Sequence, residues 1–382
     1  MSEQRFPLSS STGIVRQVEI WPLRIPFKKP LQIAVGGQRQ SLEVVIVRLQ
    51  TDEGVFGLGE TQAWLRLGSN ETLAGLLDVL HNQLIPLLVG RSIFDIASIA
   101  ELFDQAIYGR LPAKAALLDA IYDAQGRLLN VPVWQLLGGR ARQSIETGAV
   151  LTISQPEQAV TEALSFYQQG YRHFSVKAGK DMARDIQTLA LLRQALGDEV
   201  RLLVDANASL EFDEALRLLK SIEPFNIEAV EQPLAPQNIR GLAELAARSD
   251  IPIVLDESIT TPSDLLNIIP QHIAHAFHSK TSKSGGLWHL RPLWQLAHSA
   301  GWRIRAGNHP STSLATLAVA HLATAWPHRL IPSPFTQSVT HDLEGDVVSE
   351  PLPIHQAYLT VSDAPGFGVE LDIKQLARWQ VN

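Results

Sequence analysis

Between about residues 145 and 335 the chain alternates two patterns of apolar residues. Short runs such as HFSV, RLLV, IEAV, IPIVL and AFHS are nearly all apolar, as parallel strands covered on both faces must be. Between them, sets such as Val160, Ala163, Leu164 and Tyr167, or Ala215, Leu216, Leu219 and Ile222, recur at helical steps of three and four. The text before this region differs. Residues 14–25 and 41–50 are rich in β-branched residues, and the polar turn Thr51-Asp52-Glu53-Gly54 follows the second, which predicts an antiparallel meander. From 70 to 130 helical spacing returns, with Leu73, Leu76, Leu77 and Leu80, then Ala116, Leu117, Ala120 and Ala124. Val131-Pro132 to Gly138-Gly139 punctuates a boundary. The seventh strand of the alternating region is expected at 302–306, before Gly-Asn-His-Pro, and the eighth near 329–335. Beyond Pro351 the chain reads as extended and is expected to pack back onto the first domain. The pattern therefore predicts an α+β domain over 1–135, a βα barrel over 136–345 and a returning segment over 346–382.

One charge stands at the end of each of five successive runs: Lys177, Asp205, Glu231, Asp256 and Lys280, at spacings of 28, 26, 25 and 24 residues. A strand, a helix and two short loops occupy about that length. Closed into a barrel, such units bring their C-terminal strand ends to one mouth, where enzymes of this shape keep their chemistry. Three carboxylates are hard oxygen ligands suited to Mg²⁺, and the lysines beside them are candidate bases. Composition permits this and removes rivals. At 382 residues, 45% hydrophobic and 19% charged, the chain suits a large barrel with a smaller companion. A formal charge of −7 argues against nucleic acid. The absence of cysteine removes thiolate nucleophiles, disulfides and zinc–sulfur sites. The opening MSEQRFPLSSSTG lacks a basic start and an apolar core, and no run nears the length of a membrane span, so a cytoplasmic enzyme is expected. Dinucleotide, P-loop, serine-hydrolase and zinc-protease fingerprints are missing.

V-D-A-N at 204–207, V-E-Q-P at 230–233, L-D-E-S at 255–258 and K-T-S-K-S-G-G at 280–286, in this order, resemble the enolase superfamily, in particular its muconate-lactonizing branch. G-L-G-E at 57–60, L-L-G-G at 136–139 and P-G-F-G-V-E-L-D at 365–372 extend the likeness over nearly the whole chain. The resemblance implies a (β/α)7β barrel with an α+β capping domain completed by the C-terminal segment. It also implies a Mg²⁺ held by Asp205, Glu231 and Asp256, lysines on opposite faces of the substrate at Lys177 and Lys280, and a homo-oligomer. The superfamily's pattern is a lysine or histidine base with Mg²⁺ stabilising an enolate.

The chain departs from that branch at Ser175-Val176-Lys177, where the branch usually has Lys-x-Lys. Alternation puts 175 and 177 on one face, so a serine replaces an ammonium that would help hold a substrate carboxylate and depress its neighbour's pKa. Ser175, Asn207 and His309 are candidate substrate contacts, with loop bracing as the rival reading for Asn207 and His309. Glu257 is expected to face away from the mouth in support of Asp256, and Lys283 to be a solvated surface charge. Trp64, Arg66 and Lys28 are either cover for the mouth or ordinary surface. RLIPSPF at 329–335 lacks the acids with which dipeptide epimerases hold a substrate ammonium. The expected function is Mg²⁺-dependent removal of the α-proton of a small carboxylate, followed by racemisation or epimerisation. The alternatives are a dehydratase or cycloisomerase using the same enolate, or a metal-binding barrel without turnover.

Overall fold

The computed structural model describes residues 12–32, 37–64, 70–179 and 181–381. Strands β1 (Val15–Gln32), β2 (Gln38–Thr51) and β3 (Phe56–Gln62) form the antiparallel meander, in the order β1-β2-β3. Alternation along β2 sends Val45, Val47 and Leu49 into the main core, and Leu42, Val44 and Ile46 into a second core with Leu23, Ile25 and Leu376. The sheet is therefore covered on both faces, by helices on one side and the C-terminal segment on the other. The helix Leu111–Leu128 packs very close to β3. A Cβ on Gly59 would lie 2.0 Å from the carbonyl oxygen of Ala116, so only glycine admits that approach.

The returning segment is not extended throughout. It ends in the helix Ile373–Trp379, capped by Asp372, whose Oδ1 accepts from the amides of Lys374 and Gln375 at 2.9 and 3.2 Å. Seven residues give too few repeats for a helical period to show in the sequence, yet the cap and the burial of Leu376 suffice to fix them. The segment touches both units. Gln380 bridges to Leu23 of the capping sheet, while Tyr358–Leu359 pairs with Ile145–Glu146 at the foot of the barrel.

Eight parallel strands follow: β4 (Ala149–Leu151), β5 (His173–Lys177), β6 (Arg201–Asp205), β7 (Ile227–Glu231), β8 (Ile253–Val254), β9 (Ala276–Lys280), β10 (Arg303–Gly307) and β11 (Leu330–Ile331). Ladders join β4 through β8 and β9 through β11, and the bridges Leu255–Phe277 and Thr147–Ser333 close the ring. Helices connect successive strands, which makes a (β/α)7β barrel. Within it, Leu203, Ala229, Val254, Ala276 and Ile331 form an apolar layer. Because side chains alternate, the residues two further along most of those strands face inward one layer higher, and these are Asp205, Glu231, Asp256 and His278.

A buried carboxylate ties the capping sheet to the barrel. Glu60, 3% exposed, accepts from Gln62 Nε2 (3.0 Å), from the Thr312 amide (2.9 Å) and hydroxyl (2.6 Å), and from the Ala315 amide (3.0 Å). It thus binds the start of the helix Ser313–Ala325, which follows β10. Burial pushes its carboxyl above the ordinary range, against those hydrogen bonds. No helix among the described residues is long and apolar enough to cross a membrane.

Candidate active site

The register Lys177–Asp205–Glu231 runs across the ends of β5, β6 and β7, and Asp256 follows β8 by one residue after Leu255. Lys280 ends β9. In an eight-stranded ring β5 and β9 are the second and sixth members, so the two lysines enter from opposite walls. Both line a cavity of about 90 Å³ together with Ser175, Asn207, Arg305 and His309. The three acids are 3%, 1% and 1% exposed.

Each acid is held by cations of this chain. Lys177 Nζ donates to Asp205 Oδ2 at 2.6 Å and to Asn207 Oδ1 at 2.9 Å, while the Asn207 amide donates to Asp205 Oδ1 at 2.9 Å. Asn207 therefore orients the lysine from within the cavity lining, from a backbone in the left-handed region (φ 47°) that asparagine tolerates. Burial pushes the Asp205 carboxyl up and the Glu231 and Asp256 charges add to it, against the pull of Lys177. For Asp256, burial is outweighed by Lys280 and Lys283, which hold its carboxyl well below the usual range. Burial works against the Lys280 ammonium, but Asp256, Glu257 and Glu231 prevail and raise its pKa.

Lys283 is not a solvated surface charge. The turn Thr281–Ser284 carries its side chain back beneath Asp256, where it is 1% exposed. It donates to Asp256 Oδ1 (2.7 Å), to the Asp256 carbonyl (2.6 Å) and to the His278 carbonyl (2.8 Å), which satisfies all three ammonium protons. Glu257 is partly exposed, but both its carboxylate oxygens are buried without a hydrogen-bond partner. Burial, with Asp256 adding, pushes its carboxyl up to about 8. Trp64 is buried, beneath the guanidinium of Arg39 at 4.5 Å, and is stacked at 6.3 Å on His309. His309 also has Nδ1 at 3.3 Å from Ser282 Oγ. Lys28 is exposed, and Arg66 lies outside the described residues.

Two buried residues of the site were absent from the sequence reading. His278 Nδ1 lies 2.9 Å from Glu231 Oε1 and 3.8 Å from Asp256 Oδ2, and Arg305 Nη1 donates to Glu231 Oε2 at 2.7 Å. Their signal was present: each is a polar residue two positions before the last residue of its strand, hence inward by alternation. His278 has room because β10 has Gly307 beside it, where a Cβ would fall 2.1 Å from Nε2. By donor chemistry the site suits a divalent cation. Ligand atoms of Glu231, Asp256 and His278 lie within 4.8 Å of one another among the described residues, and Asp205 stands at the next strand end.

Comparison with known proteins agrees with this geometry. Residues 15–138 match the mandelate racemase / muconate lactonizing enzyme N-terminal domain, and 158–376 match the enolase C-terminal domain-like family. The chain belongs to the mandelate racemase / muconate lactonizing enzyme family of the enolase superfamily. Over 366 residues it is 29% identical to the N-succinyl-L-Arg/Lys racemase of Bacillus cereus, covering 94% of this chain and 95% of that one. The muconate lactonizing enzyme of Pseudomonas fluorescens, solved with muconolactone, superposes with a TM-score of 0.92 at 28% identity, covering 97% of this chain and all of that one (100%). A dipeptide epimerase of Enterococcus faecalis, solved with Mg and the dipeptide L-Leu-L-Tyr, gives 0.88 at 27% identity, over 94% and 99%. The relatives are thus racemases, epimerases and cycloisomerases, which share enolate chemistry.

Proposed function

We propose that the protein is a Mg²⁺-dependent isomerase that removes the α-proton of a small carboxylate, an amino-acid derivative or related acid, and returns a proton to the opposite face. The observation that carries this reading is the pair Lys177 and Lys280 on facing walls of one cavity, with three buried carboxylates between them. Asp205, Glu231 and Asp256 would hold the cation. When bound, it supplies Lewis-acid charge where the enolate oxygens form, at a place water serves poorly. The chain's own residues do the rest. One lysine takes the α-proton on its Nζ as the C–H bond breaks, and the ammonium across the cavity gives a proton to the other face. Asn207, at 2.9 Å, keeps the Lys177 ammonium aimed inward. Ser175, His309 and Trp64 wall the cavity against water and bound the substrate.

The test is incubation of candidate acids with the protein and Mg²⁺ in D₂O, read by NMR and chiral chromatography. The panel spans amino acids, N-acylated amino acids, dipeptides, hydroxyprolines and sugar acids. α-Deuterium uptake with loss of optical purity is expected for one class. Lys177→Ala and Lys280→Ala should each abolish racemisation, and one of them should still exchange the α-hydrogen of a single enantiomer. Full racemisation by both variants would overturn the two-lysine scheme. An unsaturated or cyclised product would transfer the same half-reaction to a lyase or cycloisomerase.

A further inference from the structure

The pattern of contacts around His278 singles this residue out. Its Nδ1 has two close neighbours that demand opposite things: Glu231 Oε1 at 2.9 Å, which needs a proton on that nitrogen, and Arg305 Nη1 at 3.0 Å, which needs a lone pair. Neither tautomer satisfies both. Nε2 has no partner at all, although the residue is 5% exposed. A buried imidazole in this condition is costly to a fold unless something else claims the nitrogen.

We propose that His278 is a fourth protein ligand, through Nδ1, to the cation held by the carboxylates, and that it makes the site prefer a first-row transition ion such as Mn²⁺ or Zn²⁺ over Mg²⁺. This rests on the metal site assigned in the proposed function and goes beyond its three-oxygen ligand set. Metal–ligand bonds near 2.1 Å place adjacent ligand atoms roughly 3.0–3.6 Å apart. The separations of Nδ1 from Glu231 Oε1 and Asp256 Oδ2, 2.9 and 3.8 Å, bracket that interval. With a cation there, Nδ1 offers its lone pair and the conflict with Oε1 disappears. Arg305 keeps Glu231 Oε2, and Lys283 keeps Asp256 Oδ1 at 2.7 Å. The Lys280 ammonium, now on Asp256 Oδ2, gives that oxygen up and turns to the cavity. Imidazole nitrogen suits Mn²⁺, Zn²⁺ and their neighbours, whereas Mg²⁺ favours oxygen alone. Gly307 belongs to the same device, since any side chain there would push the ring off the site.

The experiment is calorimetric titration of the metal-stripped full chain with MgCl₂ and MnCl₂, with pulsed EPR of the Mn²⁺ complex. The expected wild-type result is tighter binding of Mn²⁺ by about tenfold or more, with the nitrogen modulation of a directly bound imidazole. His278→Ala should lose the modulation and the preference while still binding Mg²⁺. Gly307→Ala should do the same by displacing the ring, and the wild-type spectrum decides even if a variant fails to fold. Mn²⁺ bound without nitrogen coupling, or coupling that survives in His278→Ala, overturns the proposal and leaves the three-carboxylate site intact. Binding of neither ion overturns both.

Discussion

Replacing Arg305 with leucine tests whether the Glu231 carboxylate depends on a cation. The two side chains are 3% and 1% exposed and meet at 2.7 Å. At an effective dielectric of about 20, opposite charges at that distance attract by roughly 6 kcal/mol, and removing one member of a buried pair typically costs about 3–5 kcal/mol. His278 lies 2.9 Å from Glu231, but burial, the largest force against its charge, and the Lys280 and Lys283 ammonium groups remain after Arg305 is removed, so it is a poor substitute for that charge. Arg305→Leu should therefore lose about 3–5 kcal/mol in urea unfolding followed by tryptophan fluorescence in EDTA. At an m-value of about 3 kcal/mol/M the midpoint falls by 1 M or more. Glu231→Gln in the same chain should recover about 2 kcal/mol or more, as a double-mutant cycle. Saturating Mg²⁺ should stabilise Arg305→Leu more than wild type, because it supplies the missing charge. A loss below about 1 kcal/mol, with coupling under about 0.5 kcal/mol, would refute the reasoning.

Other perturbations test the frame around the site. Burial pushes Asp119 up to about 7, its one opposing contact being the Leu287 amide at 2.7 Å. A carboxyl raised in the folded state destabilises as it ionises, so stability falls as pH rises from about 4 through 7, by about 4 kcal/mol at 1.4 kcal/mol per pKa unit. Asp119→Asn should remove that slope and exceed wild type at pH 8 in paired denaturation curves, whereas parallel curves would contradict the assignment. Glu60→Ala strands the amides of Thr312 and Ala315 and should cost roughly 2–5 kcal/mol, seen as early exchange of those amides with deuterium. Gly59→Ala drives a methyl into the Ala116 carbonyl and should cost at least about 3 kcal/mol, read as a depressed Tm or loss of soluble protein.

The barrel was readable because five successive apolar runs each lead to one charge, and because helical spacing separates the runs. The second to seventh barrel strands end within two residues of expectation, whereas the eighth, expected near 329–335, is only Leu330–Ile331, and the first meander strand runs on to Gln32, since the closing of a ladder depends on its neighbour's register. Lys283 was misread because three residues past a strand end ordinarily means solvent; only the turn Thr281–Ser284 reverses it. His278 and Arg305 were concealed inside AFHS and RIRA, where hydrophobic counting dilutes one polar residue. Strand alternation, followed two residues back from the strand ends at Lys280 and Gly307, reaches both. The C-terminal helix is too short for periodicity and is held by tertiary burial of Leu376.

The Glu60 clamp and the backbone contact at Gly59 bear on how a substrate enters. A meander riveted to the helix after β10 by a buried carboxylate cannot swing like a jaw, because opening would strip that carboxylate of its donors. Access to the mouth must instead be set by side chains, so the site adapts to new cargo by point substitution while the architecture beneath stays still.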